Sequence, residues 1–85
     1  MTQQQLEELK KKIERASEIN RSVEKFDLFV GRMAARQDVW LEQPGKNFDA
    51  ISFAVNEEEN PVLFRMIIDE AIRRRDVAAA ELEAL

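Results

Sequence analysis

The chain of 85 residues contains neither cysteine nor histidine. Without thiols it cannot form disulfides or use a cysteine nucleophile, and it lacks the thiolate and imidazole ligands typical of zinc sites. The absence of histidine removes the side chain that most often transfers protons near neutral pH. We therefore expect a non-enzymatic protein without cofactor or metal, outside the disulfide-rich secreted class.

Glycine and proline occur only twice each, so long uninterrupted elements are expected. Gly31 and Gly45 lie in no phosphate-binding pattern such as G-x-x-x-x-G-K. No apolar run approaches the ~18 residues of a membrane span, and the start, MTQQQLEELKKK, lacks the apolar core of a signal peptide. These features predict a cytoplasmic protein that binds neither membranes nor a small-molecule substrate.

Apolar residues make up 45% and charged residues 35% of the chain, a composition typical of one small folded domain, residues 1–85. The net charge is −4. Its acidic excess is central, because residues 37–60 carry six acidic side chains and one basic side chain. Neither end is basic enough for strong electrostatic capture of nucleic acid, which is therefore not the expected partner.

The first segment, residues 2–36, is predicted to form one long helix of about 50 Å. Thr2 and Gln5 match a capping box, and apolar residues recur every three or four positions from Leu6 to Met33. Residues 20–22 could bend the helix. Gly31 costs about 1 kcal/mol relative to alanine inside a helix, and its missing side chain could instead permit a close helix crossing.

Residues 38–56 are predicted to form a short β-hairpin or an irregular segment. Pro44-Gly45 suits a type II turn, and residues 51–55 alternate between large and small side chains as a half-covered strand does. The alternative is a short helix that begins at Asn47, because Phe48, Ile51 and Val55 also fit a helical spacing.

A second helix is predicted for residues 61–84. Asn60 is a favoured N-cap residue, and proline suits the first helical position, which Pro61 occupies. Glu57, Glu58 and Glu59 lie just before this helix, where its dipole favours negative charge. Together with Asp49 and Asp69 they could supply oxygen ligands to a cation, but they match no calcium-binding loop, and we interpret them as helix-start electrostatics.

Two basic clusters are candidates for charged contacts. The first is Lys10, Lys11 and Lys12, and the second is Arg73, Arg74 and Arg75. Consecutive residues on a helix point about 100° apart, so neither triplet forms one patch. Acidic residues lie four positions before most of them and predict the pairs Glu7–Lys11, Glu8–Lys12, Asp69–Arg73 and Glu70–Arg74. We interpret both clusters mainly as solvated helix faces.

The aromatic residues are expected to lie mostly in the core. Because the apolar face of the first helix is wider than so short a chain can cover, we expect a mainly α-helical homodimer, with the hairpin as its minor β component. The predicted interface consists of Leu9, Ile13, Ala16, Ile19, Val23, Phe26, Phe29, Val30 and Met33.

The expected function is that of a protein–protein interaction or regulatory module, whose unidentified partner is a protein. The chain resembles in type the small accessory proteins of bacteria and phages. Two alternatives are a nucleic-acid-associated regulator, in which a dimer pairs the basic clusters, and an acidic decoy that occupies a nucleic-acid-binding protein through residues 37–60.

Overall fold

A computed structural model describes residues 2–46 and 50–85. It contains helix α1 (Gln3–Ala34), strands β1 (Val39–Gln43) and β2 (Ile51–Val55), and helix α2 (Pro61–Glu83). The two helices pack antiparallel: Arg15 near the start of α1 contacts Glu81 near the end of α2, and Asp27, further along α1, contacts Arg75, which lies earlier in α2. The mainly helical fold with a short hairpin is therefore confirmed. The calls on Asn47, Phe48 and Asp49 lie outside the described residues.

Helix α1 is continuous over 32 residues, without a break near residue 20. At its start, the Gln5 backbone N–H donates to Thr2 Oγ1 and the Thr2 backbone N–H donates to Gln5 Oε1, so the predicted capping box is formed. At its end, the Gln37 N–H donates to the carbonyl of Arg32 and the Arg36 N–H to that of Met33. This Schellman motif holds Arg36 at φ 62°, a position that glycine usually occupies.

The hairpin is antiparallel, with Val39 opposite Val55 and Leu41 opposite Phe53. The strand prediction for residues 51–55 is therefore confirmed over the helical alternative. The predicted type II turn is wrong, because no glycine in residues 2–46 and 50–85 has the positive φ that this turn requires. The strands are instead joined by a longer connection.

A cluster of four buried side chains joins the elements: Met33 of α1, Val39 of β1, Val55 of β2 and Phe64 of α2. The chain around this cluster is extended, measuring 58 × 34 × 16 Å with a radius of gyration of 18.0 Å, against the ~12 Å expected for a compact chain of this length. A thickness of 16 Å is little more than one helix diameter of ~10–12 Å. The molecule is therefore a thin slab with most of its apolar surface near solvent.

The expected aromatic core is confirmed for Phe64, which belongs to the cluster, and in part for Phe29, which packs against it, but it is wrong for the two aromatic residues of the hairpin. Phe64 is buried and Phe26 and Phe29 are half-buried, whereas Trp40 is 66% and Phe53 is 52% exposed. Trp40 lies on the hairpin face that points away from the core, opposite Ala54. Phe53 shares the face of Val55 but lies nearer the tip of the hairpin, beyond the cover of the helices.

The start of α2 differs in detail from the prediction. Pro61 occupies the first turn and Asn60 the N-cap position, as expected, but the Asn60 side chain makes no capping hydrogen bond. Asn56 stabilises this region instead, because its side-chain oxygen accepts a hydrogen bond of 2.7 Å from the Glu59 N–H. This bond stabilises the turn before the helix and caps none of the N–H groups of α2.

Gly31 lies in the last two turns of α1 with an ordinary helical backbone, and a Cβ atom added there would have no neighbour within 4 Å. The close crossing expected at Gly31 is therefore absent among residues 2–46 and 50–85. Gly31→Ala should raise the free energy of unfolding by about 1 kcal/mol, because alanine is the better helix former. Urea unfolding followed by circular dichroism measures this change.

The matched control is Ala80→Gly, which makes the reverse change at an exposed position inside α2. It should lower the stability by a similar amount. Both variants are compared at concentrations at which the chain is monomeric, and a loss of stability in Gly31→Ala there would contradict the open surroundings of Gly31.

Candidate interaction surface

The apolar face of α1 winds around the helix. At 3.6 residues per turn, the cluster of Ile19, Val23 and Met33 points towards α2, and the cluster of Leu6, Leu9 and Ile13 points about a third of a turn away. The exposures agree with this geometry, since Ile19 is 4% exposed and Ile13 is 63% exposed. We call the side of α1 that carries Leu6, Leu9, Ile13, Leu28 and Gly31 the outer face.

The start of α1 also extends beyond α2. Arg15 forms an ion pair with Glu81, so the last residues of the chain reach only to about Lys11. Leu6 and Leu9 lie past this point and are 50% and 45% exposed. The outer face is thus apolar at its amino-terminal end and is covered by no described residue there.

The nine predicted interface residues therefore divide into three groups. Ile19 and Met33 are buried within the chain, and they cannot form the exposed interface that was predicted. Five residues are half-buried along α2: Ala16, Val23, Phe26, Phe29 and Val30. Leu9 and Ile13 are exposed. Leu6 and Leu28, which the predicted interface did not include, are exposed as well.

A second apolar surface lies between the two helices. It is a groove of about 360 Å³ lined by Phe26 and Phe29 of α1 and by Leu63, Met66 and Ile67 of α2, with Glu70 and Arg74 also at its border. Both phenylalanines are half-buried. Such a groove has the character of a site for an apolar side chain or an amphipathic helix.

The three consecutive arginines of α2, residues 73–75, are all held by carboxylates. Glu70 accepts hydrogen bonds from Arg73 at 2.6 and 2.9 Å and from Arg74 at 3.0 Å. Arg75 contacts Asp27 of α1 at 3.1 Å and its neighbour Asp76 at 3.4 Å. Their positive charge is therefore largely compensated within the chain.

One predicted arginine partner is wrong. Asp69 pairs with Arg65 at 3.2 Å, one turn earlier, instead of with Arg73. Arg73 pairs with Glu70, three residues before it, and the same carboxylate also accepts a hydrogen bond from Arg74. The predicted Glu70–Arg74 pair is confirmed.

The lysine cluster differs from the arginine cluster. Lys10, Lys11 and Lys12 are exposed, and the predicted pairs of Lys11 with Glu7 and of Lys12 with Glu8 are absent among the ion pairs of residues 2–46 and 50–85. These ammonium groups are therefore free to contact another molecule. They lie in the part of α1 that extends along and beyond the end of α2.

Several site types find no support in the described part of the chain. Residues 2–46 and 50–85 contain no group of three acidic side chains placed to hold a metal ion. The helices that the structure describes are not apolar enough over a sufficient length to cross a membrane. No protein-family model, curated protein or solved structure matches the chain.

Hydrogen bonds from Arg73, and then from Arg74, lower the pKa of Glu70 to about 2 from its ordinary 4.5. The charged carboxylate therefore stabilises the folded state above pH 4.5, and this contribution is lost as the pH falls from 4.5 to 2. Glu70→Gln should be less stable than the parent chain at pH 7, and the difference should shrink towards zero at pH 2. Because these groups are exposed, the difference should be small.

Denaturant unfolding of both chains at several pH values measures this difference. Glu83→Gln is the matched control, since Glu83 lies on the same helix outside the ion pairs formed by the described residues, and its effect should be smaller at pH 7. A Glu70→Gln difference that stays constant from pH 7 to pH 2 would show that the arginine contacts do not stabilise the fold.

Proposed function

We propose that the chain is a non-enzymatic protein–protein interaction module that acts as a homodimer. The observation that carries this proposal is the exposed apolar cluster of Leu6, Leu9 and Ile13 on the outer face of α1. These residues have the i, i+3, i+7 spacing with which an amphipathic helix binds a partner. A lone helix gains nothing from apolar residues that face water, whereas burying each of them stabilises an association.

The direction of this cluster supports a partner outside the chain. Helix α2 covers the side of α1 that carries Ile19 and Met33, and even Ile13, which lies beside the end of α2, is 63% exposed. Extending α2 by further helical turns in the same direction would therefore leave Leu6, Leu9 and Ile13 uncovered. The groove around Phe26 and Met66 then remains available for a further protein partner.

Ile13→Asp should prevent dimer formation, because it introduces a charge into the apolar cluster of the proposed interface. The fold should persist, since Ile13 takes no part in the core cluster. Sedimentation velocity over a concentration series measures the association, and circular dichroism measures the helix content.

Val77→Asp is the matched control. Val77 is a β-branched residue on a helix and is 56% exposed, so both substitutions have a similar local effect. The control should leave dimerisation unchanged. A monomeric parent chain would overturn the proposal, and equal loss of association in both variants would place the interface elsewhere.

The alternative function, a nucleic-acid-associated regulator, has weaker support. Arg73, Arg74 and Arg75 are engaged by carboxylates, so of the two basic clusters only that of Lys10, Lys11 and Lys12 carries charge that is uncompensated among the described residues. We expect no binding of duplex DNA in a fluorescence-anisotropy titration at low salt. Binding that weakens steeply as salt is added would instead support the alternative, because phosphate contacts release counterions.

A further inference from the structure

Gly31 shares the outer face of α1 with the exposed apolar cluster. It follows Ile13 by 18 residues, and 18 residues make five helical turns, so both point in the same direction. A Cβ atom at Gly31 would meet none of the described residues of its own chain within 4 Å. The missing side chain leaves a shallow notch on a face whose other end carries protruding leucines.

The charged residues on this face have opposite signs at its two ends. At about 100° per residue, Lys10 lies about 60° to one side of Ile13 in the first half, and Glu24 lies about 20° to the same side of Gly31 in the second half. Both are exposed. Turning the face end over end therefore places positive charge opposite negative charge.

We infer that two copies of the chain pack through this face with their α1 helices antiparallel, related by a twofold axis near residues 18 and 19. This inference rests on the proposed homodimer and specifies its geometry. Leu6 of each copy would sit over Gly31 of the partner subunit, beside Leu28 of the partner subunit. The notch lets the two backbones approach closely where the leucine side chain enters.

The same register brings the charges together. Lys10 would lie beside Glu24 of the partner subunit, and this pair would occur twice through the twofold axis. A parallel arrangement would instead bring Glu24 towards Glu24 of the partner subunit. Like charges in contact oppose association, so complementarity selects the antiparallel orientation.

Pulsed electron paramagnetic resonance tests the orientation, because the chain has no cysteine and one introduced cysteine carries a unique spin label. In Gln3→Cys, the two labelled sites of the antiparallel dimer lie about 45 Å apart along the helices. In Arg21→Cys they lie only about 8 Å apart along the axis. The expected result is a long distance for the first variant and a short one for the second.

Each other outcome has a separate meaning. Short distances in both variants would show a parallel dimer, which overturns the inference but leaves the homodimer standing. A long distance in Arg21→Cys would place the interface on another surface and would also overturn the inference. The absence of any dipolar coupling would show a monomer, which overturns the proposed function as well.

Gly31→Leu tests the notch. A leucine there fills the space that Leu6 of the partner subunit needs, and the dimer should weaken by about tenfold or more, as overpacked interfaces do. Lys25→Leu is the control, because Lys25 is exposed on α1 but points away from the outer face. Unchanged association in Gly31→Leu, or equal weakening in both variants, would overturn the assigned contact.

Discussion

The winding of the apolar face around α1 is the constraint on which the rest of the structure depends. Leu6 and Met33 are 27 residues apart, which is seven and a half turns, so they point to opposite sides of the same helix. One antiparallel helix can cover only one of those sides. The end with Met33 becomes part of a core, and the end with Leu6 remains in contact with water.

The small core follows from this division. Met33, Val39, Val55 and Phe64 are contributed by the two helices and by the open ends of the two strands, and Leu41 packs against them, so the cluster holds the hairpin at its base and as far as the middle of β1. A two-stranded sheet is marginal by itself, and burial of Val39 and Val55 against the helices stabilises it. The tip, with Ile51 and Phe53, lies beyond this support and exposes its apolar side chains.

Ion pairs set the register of the helices along this core. Arg75 of α2 contacts Asp27 of α1, and Arg15 of α1 contacts Glu81 of α2. Exposed pairs of this kind contribute little to stability, but they disfavour shifts that would bring like charges together. The arginine triplet thus has a structural role that its sequence neighbours only partly indicated, because the contact with Asp27 crosses between elements.

The elements that were predictable from the sequence are those with a local cause. The capping box at Thr2, the first turn at Pro61 and the alternating strand after Ala50 each depend on neighbouring residues, and the structure contains all three. The exposure of Trp40 and the burial of Ile19 were not predictable, because they depend on which side α2 covers. The periodicity of the sequence identified the apolar face of α1, but it did not show which part of that face α2 covers and which part remains exposed.

Two residues of α1 and its C-terminal cap are unfavourable for their local backbone, and only one of them has a structural cause within the described residues. Arg36 adopts a left-handed backbone that disfavours most side chains, and the Schellman hydrogen bonds at the end of α1 explain it fully. Gly31 lowers the stability of the helix around it, and a Cβ atom there would contact none of the described residues.

Leu6, Leu9 and Ile13 likewise expose apolar surface without any benefit to the single copy. These two kinds of departure are chemically unrelated, since one removes a side chain and the other adds apolar bulk. They nevertheless share one face of α1, and they fit each other when that face is turned end over end. Gly31 and the exposed apolar cluster are unfavourable in the single chain but complementary to each other across two chains, which is consistent with a fold that includes a second copy.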